Sequence, residues 1–269
     1  MKSLSKLIPK DLKEIVRLLI NYVYPRNITC IICDNPIKLN NTYSLCRDCY
    51  KQLHFILDGC NKCGKPIINF NLERESLITC NYCYNKTFYF DKVISCIAYD
   101  DISKKLILDY KYKSKTYLCR YIAEIMKEKF LFENIEADYI LYVPLHKKRL
   151  RKRGFNQAEK IAKKLSELID IPVLDCVIRV KNTKRLYNMD NKSRQQELKN
   201  GFDVKDNIYL IKNKNVILID DIFTTGSTAN EISLNKYAFI IYSVCPCNNG
   251  NGFAAIILYV PFQLDTSSK

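Results

Sequence analysis

Long apolar runs are missing from this chain, and so is a recognisable export signal. The longest late apolar run, Phe253–Phe262, is far shorter than the ~18–20 residues that a membrane-spanning helix requires. Near the start, charged residues are scattered, and the apolar stretch Ile15–Val23 is interrupted by Arg17 and Asn21. We therefore expect a cytoplasmic protein with no transmembrane segment.

Acidic residues are scarce relative to basic ones. The 269 residues include 43 Lys and Arg but only 28 Asp and Glu, which gives a formal net charge of +15. This excess favours anionic partners, such as nucleic acid, pyrophosphate or an acidic membrane face. Lys, Asn, Ile and Tyr are frequent throughout, so composition bias accounts for much of the charge. A hydrophobic content of 48% excludes a wholly disordered chain.

The thirteen cysteines follow a metal-binding pattern. Disulfides are rare in a reducing cytosol, so metal binding is the default explanation for them. Twelve residues separate the first C-x-x-C pair from the second, and sixteen separate the third from the fourth, as in four-cysteine zinc ribbons. We predict two structural Zn²⁺ ions that supply much of the folding energy of this segment. Eight residues are the expected ligands: Cys30, Cys33, Cys46, Cys49, Cys60, Cys63, Cys80 and Cys83.

Some alternatives for the cysteines stay open. A thioredoxin-like redox pair needs a strand–helix context and rarely occurs four times in one short segment. The assignment of pairs to ions is undecided, because a treble-clef-like crossing between neighbouring pairs is compatible with the spacing. His54 is not expected to be a ligand, since eight cysteines satisfy two sites. The remaining cysteines are expected to be core thiols: Cys96, Cys119, Cys176, Cys245 and Cys247.

A short amphipathic helix is predicted ahead of the cysteines, over residues 11–24. Its apolar face is expected to pack on the chain itself or on a partner, and binding to a membrane surface is the alternative. We predict three parts: a helical segment over 1–29, a double zinc ribbon over 30–87 and an α/β domain over 88–269. The apolar residues of the helix are Leu12, Ile15, Val16, Leu19 and Val23.

From about Phe88 onward, strand patterns alternate with helix patterns. This alternation indicates an α/β fold with a mainly parallel sheet. In such sheets ligands bind beyond the carboxyl ends of the strands. The predicted strands are Val93–Tyr99, Tyr139–Val143, Val173–Val180 and Val216–Ile219, and the predicted helices are Asp101–Tyr112 and Thr116–Phe130.

The most informative stretch is VILIDDIFTTGST, residues 216–228. Four branched apolar residues predict a buried strand, and Asp220 and Asp221 follow where it ends. A small, hydroxyl-rich turn then opens into a helix. The N–H groups of such a turn attract a phosphate, and carboxylates accept hydrogen bonds from ribose hydroxyls. We expect this stretch to hold a phosphorylated sugar, with an ordinary strand–turn–helix as the alternative.

A dense cationic segment follows the strand Tyr139–Val143. Six cations occur within the seven residues Lys147–Arg153, before Asn156 caps an amphipathic helix with Glu159 three residues later. So many charges cannot belong to a core. We predict a mobile basic loop that faces pyrophosphate or a nucleic-acid backbone, with a solvated charge run as the alternative.

These motifs resemble known protein families. Residues 216–228 resemble the phosphoribosyl-pyrophosphate (PRPP) motif of type I phosphoribosyltransferases. The ordered set of C-x-x-C pairs, then VPLHKKRLRKRGFNQAEKIAKKL, then VILIDDIFTTGST, resembles the ComF family of bacterial late-competence proteins, which carry a zinc ribbon before a phosphoribosyltransferase-like domain. Asp109–Tyr112, and Arg194 followed by Gly201-Phe202, add smaller matches. The resemblance covers roughly Pro25 to Ser233.

The resemblance implies roles for individual residues. Asp220 and Asp221 would bind the ribose hydroxyls and form the catalytic pair, while Mg²⁺ would bind with PRPP, mainly through the ligand's own oxygens. The 5′-phosphate would be held by Thr224, Thr225, Gly226, Ser227 and Thr228. The departing pyrophosphate would be met by Lys111, Arg149, Arg151 and Arg153.

Two departures from the family pattern bear on these expectations. Leu186 stands where the family usually has a glutamine, which removes a polar contact. After about Leu234 the resemblance ends, because Asn235–Lys269 lacks the amphipathic helix continuation and the further core strand. A changed reading frame or a truncation in the gene would explain this. We then expect an altered strand at the edge of the sheet.

Three functions are compatible with the motifs. The first is a ComF-like factor for natural transformation, which binds PRPP or a nucleotide and contacts single-stranded DNA or a competence helicase. Such a factor would act in the cytoplasm, held at the inner face of the membrane through its partners. The second is a salvage transferase that joins a nucleobase to PRPP. The third is a non-catalytic PRPP sensor.

Overall fold

The computed structural model describes residues 12, 15, 28–66, 80, 82–84, 86–183, 189–223, 225–234, 240–243 and 252–253. Leu12 and Ile15 have helical backbone, and the rest of the predicted amphipathic helix lies outside the described residues. The same is true of four other residues named above: Thr224, Leu186, Cys245 and Cys247. The chain divides into two compact units, Met1–Gln52 and Leu53–Lys269.

The first unit contains a cluster of four cysteines. The sulfur atoms of Cys30, Cys33, Cys46 and Cys49 all lie within 4.8 Å of one another. The backbone turns tightly at the first pair, where the Cys30 N–H donates to the Asn35 carbonyl at 2.8 Å. Cys49 lies on the short helix α1, whose range is Arg47–Gln52.

The same turn recurs around the third cysteine pair, in the second unit. Here the Cys60 N–H donates to the Lys65 carbonyl at 2.7 Å, and the Gly64 N–H donates to the Cys60 carbonyl at 2.8 Å. Gly64 has φ 66°, and Asp34 at the matching position has φ 59°. A Cβ added at Gly64 would lie 2.6 Å from the Ser95 hydroxyl oxygen, so this turn needs glycine where the first tolerates aspartate.

Both cysteine clusters have the donor set and spacing of a closed zinc site. The second cluster joins Cys60, Cys63, Cys80 and Cys83, again with all sulfurs within 4.8 Å. Zn–S bonds of ~2.3 Å place the sulfurs of a tetrahedron ~3.8 Å apart, and four sulfur–sulfur contacts within the clusters measure 3.4–3.9 Å. Structural zinc fits both clusters. The first cysteine pair therefore joins the second and the third joins the fourth, which decides against crossed pairing.

A parallel sheet is the centre of the second unit. The described strands are β1 (Val93–Ile94), β2 (Ala98–Tyr99), β3 (Tyr139–Tyr142), β4 (Val177–Arg179), β5 (Phe202–Val204), β6 (Val216–Asp220), β7 (Ile240–Ser243) and β8 (Gly252–Phe253). Four of them form a parallel sheet in the order β1–β7–β6–β3. Two antiparallel pairs, β2–β8 and β4–β5, stand apart from it.

The helices and strands of the second unit together form an α/β fold, as predicted. The described helices of the second unit are α2 (Asp101–Tyr112), α3 (Leu118–Phe132), α4 (Lys147–Arg153), α5 (Gln157–Ile169), α6 (Asn191–Leu198) and α7 (Ser227–Leu234). Helix α5 packs against strands β3 and β6 of the parallel sheet. Helix α2 begins with a capping box between Asp100 and Ser103. His54 Nδ1 also lies 2.8 Å from the Asp100 carboxylate. A helix long and apolar enough to cross a bilayer is not found among the described residues.

The core lies where α5 packs against α3 and against strands β3 and β6. Ile217, Leu218 and Ile219 of β6 have no exposed surface, and neither do Ile161 and Leu165 of α5. Burying one such side chain contributes about 1.5–3 kcal/mol. The run of branched apolar residues in β6 therefore reflects a strand covered on both faces.

Two of the predicted strands are divided or displaced. Val93–Tyr99 forms two strands, because the backbone between them pairs with a neighbouring segment: the Ile56 N–H donates to the Cys96 carbonyl at 2.9 Å. Val173–Val180 contributes only β4, which pairs antiparallel with β5. Val173 itself makes a single parallel bridge to Ile140, since the polar Asp175 ends the apolar run soon afterwards.

The cationic segment is the helix α4, so the prediction of a loop is wrong. The His146 side chain accepts a hydrogen bond from the Lys148 N–H at the start, and Gly154 ends the helix with φ 82°. Lys, Arg and Leu favour helices, and none of the residues of α4 is buried. The charges therefore stay hydrated on a regular scaffold.

Strand β7 lies inside the sheet, between β1 and β6, whereas the sequence predicts an altered strand at the edge. Ile240 is in register with Ile217, and Ser243 with Asp220. The segment after Leu234 thus supplies a central strand although it has no amphipathic period. Backbone pairing on both sides makes this possible, because it does not depend on an amphipathic period.

We expect native mass spectrometry of the full chain to show two zinc ions. Replacing Cys60 and Cys83 together with serine should leave one ion, because both belong to the second cluster. Cys119→Ser, a half-buried thiol outside the clusters, is the matched control and should retain two. Loss of both ions from the double variant, or retention of both, would contradict two independent four-cysteine sites.

Candidate functional site

The two acidic residues of the predicted motif lie at the carboxyl end of the central sheet. Asp220 is the last residue of β6, and Asp221 follows it directly. β3 and β6 are parallel neighbours, with Tyr142 in register with Ile219. Their carboxyl ends therefore meet at the same edge, and the cationic helix α4 follows β3 there.

Lys111 at the end of α2 reaches this pair of carboxylates. Its Nζ lies 2.9 Å from Asp221 Oδ2, and the two side chains are only 11% and 15% exposed. The Asp221 N–H donates to Asp220 Oδ1 at 2.8 Å. The structure thus brings together three residues that the sequence analysis selected from segments about a hundred residues apart.

Asp220 is the perturbed member of the pair. Burial of its carboxyl group raises the pKa of Asp220 to about 7, and the neighbouring Asp221 acts in the same direction. Lys111, the Asp221 N–H and Arg179 oppose this shift without cancelling it. Asp221 is therefore paired with a cation, whereas Asp220 exchanges its proton near neutral pH.

Arg179 of β4 is a charged residue of this region that the sequence analysis missed. Burial lowers the pKa of the Arg179 guanidinium to about 10, Arg149 adds to the effect, and Asp220 counteracts it. Its Nη2 donates to the Thr183 hydroxyl at 2.6 Å, and its guanidinium lies 5.1 Å from the Phe202 ring centroid. The only signal in the sequence is an arginine within the apolar run of β4.

The turn after β6 has the geometry of a tight strand-to-helix connection. Gly226 has φ 76°, and a Cβ there would lie 2.8 Å from the Phe223 ring, so the position requires glycine. The hydroxyls of Thr225 and Ser227 lie 2.6 Å apart, both side chains being buried. Helix α7 begins at Ser227, and the next residue, Thr228, is half-buried in its first turn.

The three arginines selected from α4 have different environments. Arg149 Nη2 donates to the carbonyl of Thr183. The hydroxyl of the same residue accepts a hydrogen bond from Arg179. Arg153 Nη1 donates to Gln157 Oε1 at 2.6 Å, and its guanidinium lies 5.2 Å from the ring centroid of Tyr112 on α2. Arg151 lies on the exposed surface. Contacts thus join Arg149 and Arg153 to elements that border the carboxylates, while Arg151 faces solvent.

A second residue that the sequence analysis missed is Tyr82, between the last two ligands of the second cysteine cluster. Its hydroxyl donates to the Thr225 carbonyl at 3.0 Å. Tyr82 and Thr225 are separated by 143 positions in the sequence, so a local pattern could not have revealed the contact.

Comparison with known proteins gives the same organisation. A family model described as "Double zinc ribbon domain" matches residues 19–87. Competence protein F of Haemophilus influenzae is 30% identical over 215 residues, which cover 77% of this chain and 90% of that protein. DNA utilization protein YhgH of Salmonella typhimurium is 23% identical over 81% of this chain and 96% of its own length.

A third relative is also a competence protein. Competence protein ComFC of Bacillus subtilis is 26% identical over 75% of this chain and 85% of its own length. The alignments with these relatives extend well beyond the matched ribbon region and include much of the α/β unit. The two cysteine clusters, the α/β unit and the near-complete match to competence protein F together show that this chain belongs to the ComF family.

Proposed function

We propose that this chain is a ComF-like DNA-uptake protein whose α/β unit binds PRPP or a nucleotide with Mg²⁺ while its cationic surface handles single-stranded DNA. The observation that supports binding of PRPP or a nucleotide is the group formed by Lys111, Asp221 and Asp220 beside the glycine turn. The names of the relatives, two competence proteins and a DNA utilization protein, support the role in DNA uptake.

The carboxylates suit the diol of a ribose. Asp221 is paired with Lys111, and its carboxyl oxygens can accept hydrogen bonds from hydroxyls. Asp220, with its pKa raised to about 7, accepts as a carboxylate and donates when protonated. Mg²⁺ fits the same edge, because these oxygens and those of a pyrophosphate are the hard ligands that it prefers.

The turn and the nearby cations suit the phosphate groups. Backbone N–H groups at the start of α7, next to the left-handed Gly226, provide an anion site at a helix N-terminus. We assign the binding of the pyrophosphate to Lys111 and Arg149. The phosphate groups of the ligand would therefore have both cations and amide donors as partners.

Helix α4 suits a nucleic-acid backbone. It carries six cations in seven residues, and none of them is buried. Single-stranded DNA bound there would release counterions from its phosphates, so the affinity would fall steeply with salt.

We expect the double variant Asp220→Asn, Asp221→Asn to lose PRPP–Mg²⁺ binding in a calorimetric titration. The change removes the acceptors for the diol and leaves Lys111 without its partner, while the zinc content stays at two. Asp203→Asn on the exposed surface of β5 is the matched control and should bind as the wild type does. Undiminished PRPP affinity in the double variant would rule out this site.

The raised pKa of Asp220 predicts a pH-dependent difference in stability. An aspartate with an ordinary pKa of about 4 in the unfolded chain and about 7 in the fold favours folding when protonated. The free energy of unfolding of the wild type should therefore fall, relative to Asp220→Asn, as the pH rises from about 4 to about 7, and then level off. Urea unfolding of both proteins at each pH measures this difference, and a constant difference would contradict the buried, proton-exchanging carboxyl group.

Charge reversal on α4 should weaken DNA binding specifically. Lys148, Arg151 and Lys152 are exposed, and we replace all three by glutamate. For a single-stranded oligonucleotide, the slope of log affinity against log salt should become less steep by about 2. Each cation that neutralises a phosphate contributes ~0.7 to that slope. Fluorescence anisotropy at several salt concentrations gives this slope. The control carries the same change in net charge on other exposed lysines: Lys105, Lys199 and Lys212. An equally large decrease in the control would show that only net charge matters.

A further inference from the structure

The second cysteine cluster is connected to the turn after β6 by a direct hydrogen bond. Tyr82 stands between Cys80 and Cys83, and its hydroxyl donates to the Thr225 carbonyl at 3.0 Å. Both residues belong to the same compact unit. The only covalent path between them runs through 143 positions, so this bond is a tertiary connection between the cluster and the turn.

The bond fixes the orientation of one peptide unit. The Thr225 carbonyl and the Gly226 N–H belong to the same planar peptide and point in opposite directions. A donor that holds the carbonyl towards the cluster therefore directs the Gly226 N–H away from it. Because glycine reaches many backbone conformations, an external restraint on this peptide limits the conformations that Gly226 can adopt.

Further contacts hold the same region. The Phe90 ring meets the Phe223 ring edge-on, with centroids 6.1 Å apart, and Phe90 has no exposed surface. A Cβ at Gly226 would lie 3.3 Å from Phe90, so the ring lies close to the turn. One residue earlier, the Tyr89 N–H donates to Asn230 Oδ1 in α7 at 2.7 Å.

Tyr82 is itself held in place by its surroundings. The ammonium groups of Lys65 and Lys86 lie 3.5 Å and 3.2 Å from its ring centroid. Cations at this distance are attracted to the ring and restrict its motion. The backbone on both sides of Tyr82 is anchored by cysteine ligands, and a zinc site of this type folds only when the metal is bound.

We propose that the second zinc ribbon positions the phosphate-binding turn, with Tyr82 as the positioning residue, so that zinc in this cluster raises the affinity for a terminal sugar phosphate. The inference deepens the proposed function and rests on it. Since coupling between two binding events is reciprocal, a bound phosphorylated sugar should also raise the zinc affinity of this cluster.

The test compares Tyr82→Phe with Tyr84→Phe. Tyr84 also adjoins Cys83, but it is 74% exposed, so its variant is a matched control. Loss of one hydrogen bond of ~1 kcal/mol should weaken ribose 5-phosphate binding about fivefold in Tyr82→Phe. Inorganic pyrophosphate, which lacks the sugar phosphate, should bind both variants equally, and both should keep two zinc ions.

A second readout follows the coupling from the zinc side. In an equilibrium competition with a chelator, ribose 5-phosphate should raise the affinity of the wild type for one of its two zinc ions, and Tyr82→Phe should abolish this increase. Hydrogen exchange of the amides of residues 225–230 should be faster in Tyr82→Phe than in Tyr84→Phe even without ligand. If Tyr82 had only a structural role, Tyr82→Phe would lower the thermal stability but would not weaken ribose 5-phosphate binding more than pyrophosphate binding.

The outcomes distinguish a failure of the proposed function from a failure of the positioning role of Tyr82. If the wild type does not bind ribose 5-phosphate or PRPP, the proposed function fails. If the wild type binds and Tyr82→Phe binds with the same affinity, the positioning role is overturned while the proposed function stands. Selective loss of sugar-phosphate binding, with pyrophosphate binding and zinc content unchanged, supports both.

Discussion

Two adjacent carboxylates at the end of a buried strand are the constraint on which the candidate site depends. β6 is covered on both faces and paired in parallel on both edges, so Asp220 and Asp221 emerge where solvent is partly excluded. Two like charges so close together are costly, and Lys111 directly pairs with only Asp221. Burial and the remaining repulsion raise the pKa of Asp220 to about 7. The site thus combines a carboxylate paired with a cation and a carboxyl group of raised pKa, and we propose that the two bind the hydroxyls of a diol.

The fold places complementary chemistry around these acids. The parallel pairing of β3 and β6 brings α4 and the carboxylates to one edge of the sheet, and Arg179 belongs to the separate antiparallel pair formed by β4 and β5. On the other side, the second cysteine cluster holds the turn through Tyr82. The ribbon therefore has a structural relation to the site and does not merely precede it in the sequence.

What can be predicted from the sequence is what depends on local pattern. The spacing of the cysteines predicts the two clusters, and the apolar run ending in two aspartates predicts β6 and the position of the acids. The prediction of a loop for the cationic segment is wrong. It rests on the density of charge, but Lys, Arg and Leu are good helix formers and a glycine follows them as the helix end. Arg179, Tyr82 and β7 cannot be found this way, because their roles arise from contacts with distant segments: a guanidinium near Asp220, a hydroxyl on the Thr225 carbonyl, and backbone pairing on both edges.

The most direct test of the central claim is a crystal structure of the zinc-loaded protein with ribose 5-phosphate and Mg²⁺. The account predicts that the terminal phosphate lies within ~3 Å of the N–H groups at the start of α7 and that the 2′- and 3′-hydroxyls donate to Asp220 and Asp221. A phosphate bound on α4 or elsewhere, with the edge beyond β6 empty, would contradict it.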